Sequence, residues 1–284
     1  MSHNFAVIGY PLGHTMSPII HKCLFELAGI TDSSYEVMEI APEFLSDNIQ
    51  KLKSLDGFNI TIPHKLAIMK HLDVLSDGAK MYGAVNVVKN DNGVHHGYNT
   101  DVDGFMRCVD SLSEGLLGKK VLLFGCGGAG RMMAIKTCSH GGDLTIAVRN
   151  AAQSSEVKRV VEDIFVNCSP KSKVRVIDIK DLDNFDTKYD LLINSTPVGM
   201  YPNADACIAS DKIIANCSYV FDAVYNPTMT QLVAKARAMH GDNTAISGMA
   251  MLVWQAVVAH EIWHGYRYKG DDIIALIKEM EKLV

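Results

Sequence analysis

The chain has 284 residues, of which 48% are hydrophobic and 21% are charged, as is ordinary for a globular protein. Its formal net charge is -5 without runs of like charge, which argues against a nucleic-acid surface, and no apolar stretch reaches the roughly 20 residues that span a membrane. We therefore expect chemistry on a small molecule, with neither nucleic acid nor membrane as a partner.

The cysteines and the N-terminal residues predict a cellular setting. Seven cysteines are scattered from Cys23 to Cys217 without a C-x-x-C pair, which is typical of reduced cytoplasmic proteins. The opening residues MSHNFAVIGYPLGH lack a basic region followed by a long apolar core and predict a strand, so no export signal is expected. We expect a cytoplasmic protein that is either a monomer or a homodimer.

The first part of the chain alternates predicted strands and helices. The predicted strands are FAVIG, YEVMEI, GFNITI, GAVNVVKN and GVHHGYNT. The predicted helices are SPIIHKCLFELAGI, APEFLSDNIQKLKS, HKLAIMKHL and VDGFMRCVDSL. In the first of these helices Ser17 can act as the N-cap, and Pro18 suits the first turn.

The chain changes character at Gly118, where the apolar strand KKVLLFG runs into GCGGAGR and a helix. The later predicted strands are DLTIAVRN, KVRVIDI, YDLLINST, SYVFDAVYN and NTAIS, and helices are predicted for SSEVKRVVEDIF, MTQLVAKARAM, GMAMLVWQAVVAHEIWHGY and DDIIALIKEMEKLV. Strands that alternate with helices predict a doubly wound parallel sheet. We predict an α/β protein in which this Rossmann-type domain, over 104–247, is inserted between an α/β domain over 1–103 and closing helices over 248–284 that complete it.

The loop GCGGAG at 125–130 follows a strand and opens a helix, which is the context of a dinucleotide site. Gly125 permits the tight turn, Gly127 lets the backbone approach a pyrophosphate on the helix N-terminus, and Gly130 allows close packing of helix on strand. The alternative is a plain turn between strand and helix.

The next strand ends in VRN and offers Arg149 where an NAD enzyme usually has Asp or Glu. An arginine there accommodates the 2′-phosphate of NADP, so the sequence predicts NADP; a solvated strand-end charge is the alternative.

Polar residues stand at several strand ends of the first domain. Lys65 follows NITIP, Asn86 lies in GAVNVV, Asp101 closes GYNTD, and the first loop offers Thr15 and Ser17. Each alone could be a helix cap or a solvated side chain. Together with a dinucleotide fold they indicate a second ligand that is rich in hydroxyl groups and faces the nicotinamide.

Seven motifs of the chain can be compared with those of known families by their order and spacing: GYPLGHTMSP, FNITIPHK, GAVN, GYNTD, GCGGAGR, NSTPVGM and GMAMLVWQA. They resemble those of the shikimate dehydrogenase family over essentially the whole chain. The resemblance implies reversible reduction of 3-dehydroshikimate to shikimate with NADPH, on the route to chorismate and the aromatic amino acids. It implies a substrate-binding domain at 1–103, completed by 248–284, and an NAD(P)-binding domain at 104–247.

The resemblance also implies site residues. The catalytic pair falls on Lys65 and Asp101. The implied substrate-binding residues are Thr15 and Ser17 for the carboxylate, with Tyr225 near it, and Thr61, Asn86, Asp101 and Gln255 for the ring hydroxyls. The implied cofactor-binding residues are Gly125, Gly127, Gly128, Ala129, Gly130, Arg149, Thr196 and Gly248. No metal is expected.

The sequence departs from the family pattern in the segment VRNAAQ, where N-R-T followed by a second basic residue is usual. Thr15 replaces the commoner serine, and Val87 a commoner threonine. The alternative function is therefore a quinate/shikimate dehydrogenase that uses NAD or both cofactors. A non-catalytic NAD(P)-binding regulator is a further alternative, against which Lys65 and Asp101 argue.

Ketone reduction needs a proton on oxygen, which a lysine beside an aspartate can handle. Burial lowers the pKa of a lysine toward roughly 7–8, whereas a nearby carboxylate favours the charged form, so proton donor and fixed cation are both open. Gln255 lies in MAMLVWQAVVA, a helix that is apolar nearly all round and therefore buried. Its amide needs a partner, which is a substrate hydroxyl or the local backbone.

Residues 260–264 read HEIWH, which matches the H-E-x-x-H pattern of zinc proteases. The extended form of that motif has Gly three and His six residues past the second histidine, where this chain has Arg267 and Gly270. We therefore expect His260 and His264 to be packing residues at a helix end, with Trp263 beside them.

Overall fold

The computed structural model describes residues 3–13, 15–168 and 172–284. The chain divides into two compact units, Met1–Gly104 with Val253–Met280, and Phe105–Leu252 with Glu281–Val284. The predicted limits, 1–103 with 248–284 and 104–247, divide the chain by the ligand that each domain binds. The compact units do not test that division, so it stays a prediction.

The first unit is built from short strands with helices between them. Its elements up to the crossing into the second unit are β1 (His3–Gly9), α1 (Ser17–Leu27), β2 (Ser33–Glu39), α2 (Leu45–Lys53), β3 (Gly57–Ile60), β4 (Val74–Leu75), α3 (Asp77–Tyr82), β5 (Val87–Asp91), β6 (Val94–Tyr98) and α4 (Asp101–Ser113). The predicted helix HKLAIMKHL is a 3₁₀ turn at Ala67–His71 instead. β4 and α3 were not predicted, because segments of two and six residues are too short for a periodic pattern.

The sheet of the first unit is mixed, with the order β2-β1-β3-β5-β6-β4. Strand β5 runs antiparallel to both β3 and β6, and the other pairs are parallel. A turn with positive φ at Asn92 and Gly93 joins β5 to β6, as two-residue hairpins require. Phe58, Ile8 and Leu52 are among the fully buried side chains that fix the sheet against its helices.

The second unit alternates strands and helices more regularly. The remaining elements of the chain are β7 (Lys120–Phe124), α5 (Gly128–Ser139), β8 (Asp143–Val148), α6 (Ser155–Asn167), β9 (Val174–Asp178), β10 (Tyr189–Asn194), α7 (Asp211–Ala215), β11 (Cys217–Asp222), α8 (Gln231–His240), β12 (Ala245–Ser247), α9 (Gly248–His264) and α10 (Gly270–Met280). The boundary between the two units falls inside α4 and inside α9, and α10 belongs to the first unit.

The sheet of the second unit is parallel throughout, with the order β12-β11-β10-β7-β8-β9. This is the strand order of a dinucleotide-binding fold, with the switch point between β7 and β10. Val121–Phe124 of β7 are fully buried, because helices cover a parallel sheet on both faces. The predicted α/β class with a doubly wound parallel sheet is confirmed. Among the described helices, none has the length and hydropathy needed to cross a membrane.

Candidate active site

A lysine and an aspartate meet at one edge of the first unit's sheet. Strands β3 and β6 point the same way, because β5 runs antiparallel to both, and they end at the same edge. Lys65 follows β3 and Asp101 opens α4 after β6, and Lys65 Nζ donates to Asp101 Oδ2 at 2.6 Å. The two side chains are 29% and 21% exposed, so the fold holds the pair while a ligand can still reach it.

The side-chain amide of Asn86 organises this edge. Asn86 is buried and directly precedes β5. Its Nδ2 donates to Asp101 Oδ1 at 2.9 Å and to Thr100 Oγ1 at 3.0 Å, and its Oδ1 accepts from the Thr100 backbone N–H at 2.7 Å. Asn86 therefore fixes the Asp101 carboxylate through the oxygen that Lys65 does not use.

Gln255 reaches the same side chains from α9. It is buried, its Oε1 accepts from Asn86 Nδ2 at 3.4 Å, and its backbone carbonyl accepts from the Thr100 hydroxyl at 3.0 Å. The sequence predicted a substrate hydroxyl or the local backbone as the partner of this amide. In the structure its oxygen accepts from Asn86, a side chain that is far from Gln255 in the sequence. Thr100 was not among the predicted site residues, and only its place in GYNTD, beside Asp101, could have drawn attention to it.

The hydroxyl groups expected to hold a carboxylate lie around the start of α1. The N-cap of α1 is Met16 and Ser17 is the first helical residue, so the expected capping role of Ser17 is wrong. The Thr15 hydroxyl accepts from the Ser17 backbone N–H at 3.3 Å. Thr61 follows β3 and lies next to Gly9. A Cβ added to Gly9 would collide with the Thr61 methyl group. Thr15, Ser17 and Thr61 are all partly exposed, so a ligand can reach them.

The glycine loop joins β7 to α5 in the second unit. Gly125 has a φ of +90°, and a Cβ there would lie 2.7 Å from Thr196 Cγ2. A Cβ on Gly130 would lie 3.0 Å from the Gly125 carbonyl oxygen, so this glycine lets α5 pack closely on the loop. A Cβ on Gly127 or Gly128 would meet nothing within 4 Å. The open space beside these two glycines fits a pyrophosphate.

The first turn of α5 can supply donors to such a group. The backbone N–H groups of Gly128, Ala129 and Gly130 stand in this first turn, where an α-helix offers them no acceptor of its own. The helix dipole also favours an anion at this end. The donor set therefore fits the phosphates of a dinucleotide.

A cleft of about 460 Å³ adjoins the loop and is lined in part by Arg149, Thr196 and Glu156. Thr196 is held by Asn194, whose Oδ1 accepts from the Thr196 hydroxyl at 2.7 Å. Within the described ranges, Arg149 is the one cationic side chain that lines this cleft; Lys158 and Arg159 of α6 do not. Glu156 is an acidic lining residue that the sequence did not single out.

Two residues expected to bind ligands lie elsewhere in the second unit. Tyr225 is a partly buried residue after β11, in the unit that does not contain Lys65. Gly248 opens α9, and a Cβ there would collide with the carbonyl oxygen of Ala223. Close backbone packing is therefore sufficient reason for a glycine at this position.

The histidines of HEIWH have protein partners. His260 Nε2 lies 2.9 Å from His21 Nδ1, and His260 Nδ1 lies 2.9 Å from the hydroxyl of Tyr268. Burial lowers the pKa of His260 well below its ordinary value. His264 packs edge-on against the Phe5 ring. No group of three or more metal-ligating side chains occurs among the described residues.

Comparison with known proteins identifies relatives over the full length of this fold. A family model for the shikimate dehydrogenase substrate binding domain matches residues 7–88. The shikimate dehydrogenase (NADP(+)) of Caldanaerobacter subterraneus subsp. tengcongensis is 35% identical over 277 residues, which cover 96% of each chain. This chain belongs to the shikimate dehydrogenase family. The predicted membership is thus confirmed.

Solved structures of family members superpose on nearly the entire chain. The chorismate mutase/shikimate 5-dehydrogenase fusion protein of Clostridium acetobutylicum has a TM-score of 0.87 at 28% identity, over 100% of this chain and 99% of that one. Shikimate 5-dehydrogenase of Listeria monocytogenes, in complex with shikimate and NAD, has a TM-score of 0.84 at 30% identity, over 97% of this chain and 96% of that one. Both structures share the α/β fold of this chain.

The open space beside Gly127 yields a prediction that separates ligand binding from folding. Gly127 has φ −66° and ψ −168°, which any residue adopts, so Gly127→Ala should change the free energy of unfolding by less than about 0.5 kcal/mol. The methyl group would occupy space that a pyrophosphate needs, so the Kd for NADPH should rise about tenfold or more. Thermal unfolding and fluorescence titration with NADPH measure the two quantities.

Gly130→Ala is the matched control, because its Cβ would clash with the loop and should lower the melting temperature. If Gly127→Ala bound NADPH like the wild type, the pyrophosphate would not rest on this glycine.

Proposed function

We propose that this chain catalyses the reversible, NADP-dependent reduction of 3-dehydroshikimate to shikimate, on the route to chorismate and the aromatic amino acids. Its family membership supports the reaction, and the observation that carries it to particular residues is the 2.6 Å pair of Lys65 and Asp101. In this proposal the pair lies at the carbonyl or hydroxyl group that reacts.

The pair keeps hydrogen-bonding capacity for a substrate. A lysine ammonium has three hydrogens, and one of them is given to Asp101. Each carboxylate oxygen of Asp101 accepts one hydrogen bond, from Lys65 or from Asn86, and has room for another. Lys65 can therefore donate to the substrate oxygen while Asp101 accepts from a neighbouring hydroxyl.

Bound NADPH supplies the hydride for the ketone carbon. The oxygen then gains negative charge, which the Lys65 ammonium stabilises and to which it can give a proton. Asp101 holds the ammonium in place, and Asn86 holds Asp101. Thr61, Asn86, Asp101 and Gln255 would take the ring hydroxyls, and Thr15 and Ser17 would take the carboxylate, with Tyr225 near it.

The cofactor site fits the same proposal. The phosphates would rest on Gly127, Gly128, Ala129 and Gly130, in a loop shaped by Gly125 and bordered by Thr196. Arg149 would meet the 2′-phosphate. Gly248 would take part in cofactor binding only through the backbone, given its packing against Ala223.

The cellular setting is a further part of the proposal. All seven cysteines are unpaired, which supports a reducing cytoplasm. The net charge of -5 supports small-molecule partners over nucleic acid. The protein would act as a monomer or a homodimer.

A spectrophotometric assay that crosses shikimate and quinate with NADP and NAD tests the proposed function. We expect the highest kcat/KM with shikimate and NADP. Higher kcat/KM with quinate, or with NAD, would instead favour the quinate/shikimate dehydrogenase alternative. A folded protein that binds NADPH and turns over neither substrate would favour the non-catalytic regulator.

Replacing Lys65 should affect turnover more than binding. Lys65→Ala should lower kcat by about 10²–10⁴-fold, because general acid–base groups contribute that much, and should raise KM for shikimate far less. Steady-state kinetics with saturating NADP measures both constants. Lys70→Ala, which removes an exposed lysine from the neighbouring 3₁₀ turn, is the control and should be neutral. An unchanged kcat with a raised KM would make Lys65 a binding group.

The cofactor preference should depend on Arg149. A guanidinium can meet a phosphate with two parallel charge-assisted hydrogen bonds, and losing one is worth about 1.5–3 kcal/mol. Arg149→Ala should therefore lower kcat/KM for NADP by roughly ten- to a hundredfold and leave that for NAD nearly unchanged. The wild-type preference itself should be modest, because Glu156 lines the same cleft.

Arg159→Ala is the matched control for Arg149→Ala, since Arg159 is an exposed arginine of α6 that does not line the cleft. Equal losses with NADP and NAD in Arg149→Ala would show that Arg149 supports the fold or the adenine, and not the 2′-phosphate.

A further inference from the structure

A buried asparagine and a buried aspartate end neighbouring strands of the second unit. Asn194 is the last residue of β10 and Asp222 the last residue of β11, and the two are paired across these parallel strands. Both are fully buried, and Asn194 Nδ2 donates to Asp222 Oδ1 at 2.9 Å. Asp222 Oδ1 also accepts from the Val224 backbone N–H at 3.1 Å. The two side chains therefore hold the loops that follow both strands.

The partners of Asn194 leave one orientation for its amide group. Its Nδ2 carries two hydrogens, which go to Asp222 Oδ1 and to the Val198 carbonyl at 3.1 Å, and both of these oxygens act as acceptors. Its Oδ1 accepts from the Thr196 backbone N–H at 3.0 Å, a group that only donates. The amide oxygen therefore faces Thr196, because a flipped amide would oppose all three partners.

The amide oxygen of Asn194 determines what the Thr196 hydroxyl can do. The two oxygens lie 2.7 Å apart, and an amide oxygen has no hydrogen to give, so the hydroxyl hydrogen lies between them. The hydroxyl oxygen also accepts from the Val198 backbone N–H at 3.2 Å. Of its one hydrogen and two lone pairs, a single lone pair remains. Thr196 can therefore accept a hydrogen bond from a ligand and can donate none.

The neighbouring hydroxyl is committed in the same way. Ser195 Oγ donates to the Phe124 carbonyl at 2.7 Å, which uses its only hydrogen. Ser195, Thr196 and Arg149 all line the cleft beside the glycine loop. Pyrophosphate oxygens are acceptors, so they match the Arg149 guanidinium and the backbone N–H groups of α5, and neither of the two hydroxyls. The cleft thus separates side-chain acceptors after β10 from donors after β7 and β8.

We propose that Thr196 binds a hydrogen-bond donor in the adenosine half of the cofactor and so takes part in the recognition of that half. The inference rests on the proposed function, in which Arg149 meets the 2′-phosphate of the adenosine ribose. Arg149 and Thr196 line one cleft, so the partner of Thr196 belongs to the same half. In NADPH this half has two kinds of donor, the amino group of the adenine and the 3′-hydroxyl of the ribose.

Two variants that differ only in the hydroxyl group test the proposal. Thr196→Ser keeps the hydroxyl, and Thr196→Ala removes it. Fluorescence titration with NADPH should give a Kd within about twofold of the wild type for Thr196→Ser and about three- to tenfold higher for Thr196→Ala, the range of one hydrogen bond. Thr187→Ala, in a partly exposed threonine that lines another cleft of the same unit, is the control and should leave this Kd unchanged.

Adenosine 2′-monophosphate separates the adenosine half from the rest of the cofactor. It keeps the adenine, the 3′-hydroxyl and the 2′-phosphate, and it lacks the pyrophosphate and the nicotinamide half. Measured by competition with NADPH, its Kd should rise in Thr196→Ala by the same factor as the Kd for NADPH. If the Kd for NADPH rose and that for adenosine 2′-monophosphate did not, Thr196 would meet another part of the cofactor and the proposal would be wrong.

The hypoxanthine analogue of NADPH, with a carbonyl oxygen in place of the adenine amino group, separates the two donors. If the amino group is the partner, the wild type should bind the analogue at least about threefold more weakly than NADPH, and Thr196→Ala should remove most of that difference. If the 3′-hydroxyl is the partner, Thr196→Ala should raise both Kd values equally. Either result supports a donor at Thr196.

Melting temperatures show whether the variants are folded. Thr196→Val, which also lacks the hydroxyl, replaces Thr196→Ala with the same expectations if the alanine variant does not fold. A folded variant without the hydroxyl that binds NADPH as tightly as the wild type would overturn the inference and leave the proposed function intact. A folded wild type that bound no NADPH would contradict the proposed function as well.

Discussion

The buried amide of Asn86 is the group on which the arrangement of the first unit's site depends. Its two hydrogens and its oxygen are used by Asp101 and Thr100, with Gln255 nearby, and its backbone carbonyl accepts from Asn59. A buried amide that lost such partners would cost about 1–3 kcal/mol, so the fold holds these residues in one arrangement. The antiparallel strand β5 makes this possible, because it brings its own beginning to the edge where β3 and β6 end.

In the second unit, the glycine loop depends on how much room the backbone leaves for side chains. At Gly125 and Gly130 a side chain would collide with the loop or the strands, whereas at Gly127 and Gly128 the space is open. The first pair of glycines shapes the turn, and the second pair leaves room for a ligand. The side chains that line the adjoining cleft include one arginine and one glutamate, so opposite charges face the same cleft.

The HEIWH segment shows how a motif changes meaning with its surroundings. A helical spacing of two histidines is compatible with a metal site, yet the fold gives each ring neighbours of another kind. His260 is hydrogen-bonded to the buried His21, whose ring stacks on Tyr35. Trp263 donates to the Val88 carbonyl at 2.9 Å. Glu261, the residue that a zinc protease would use as a base, is paired with Arg267 at 2.7 Å. The segment thus fastens the closing helix to the first sheet.

By itself, the sequence determined the α/β class, most strands and helices, the glycine loop and the strand-end positions of Lys65, Asn86 and Asp101. These follow from periodicity, turn chemistry and motif spacing, which are properties of neighbouring residues. Only the tertiary structure decided that Ser17 is helical and not a cap, that HKLAIMKHL is a 3₁₀ turn, and that Asn86 meets Gln255. Asn86 and Gln255 are 169 positions apart, and Tyr35 and Asn59 lie on different strands. Contacts of this kind depend on how strands pair and helices pack, which no local pattern of residues encodes.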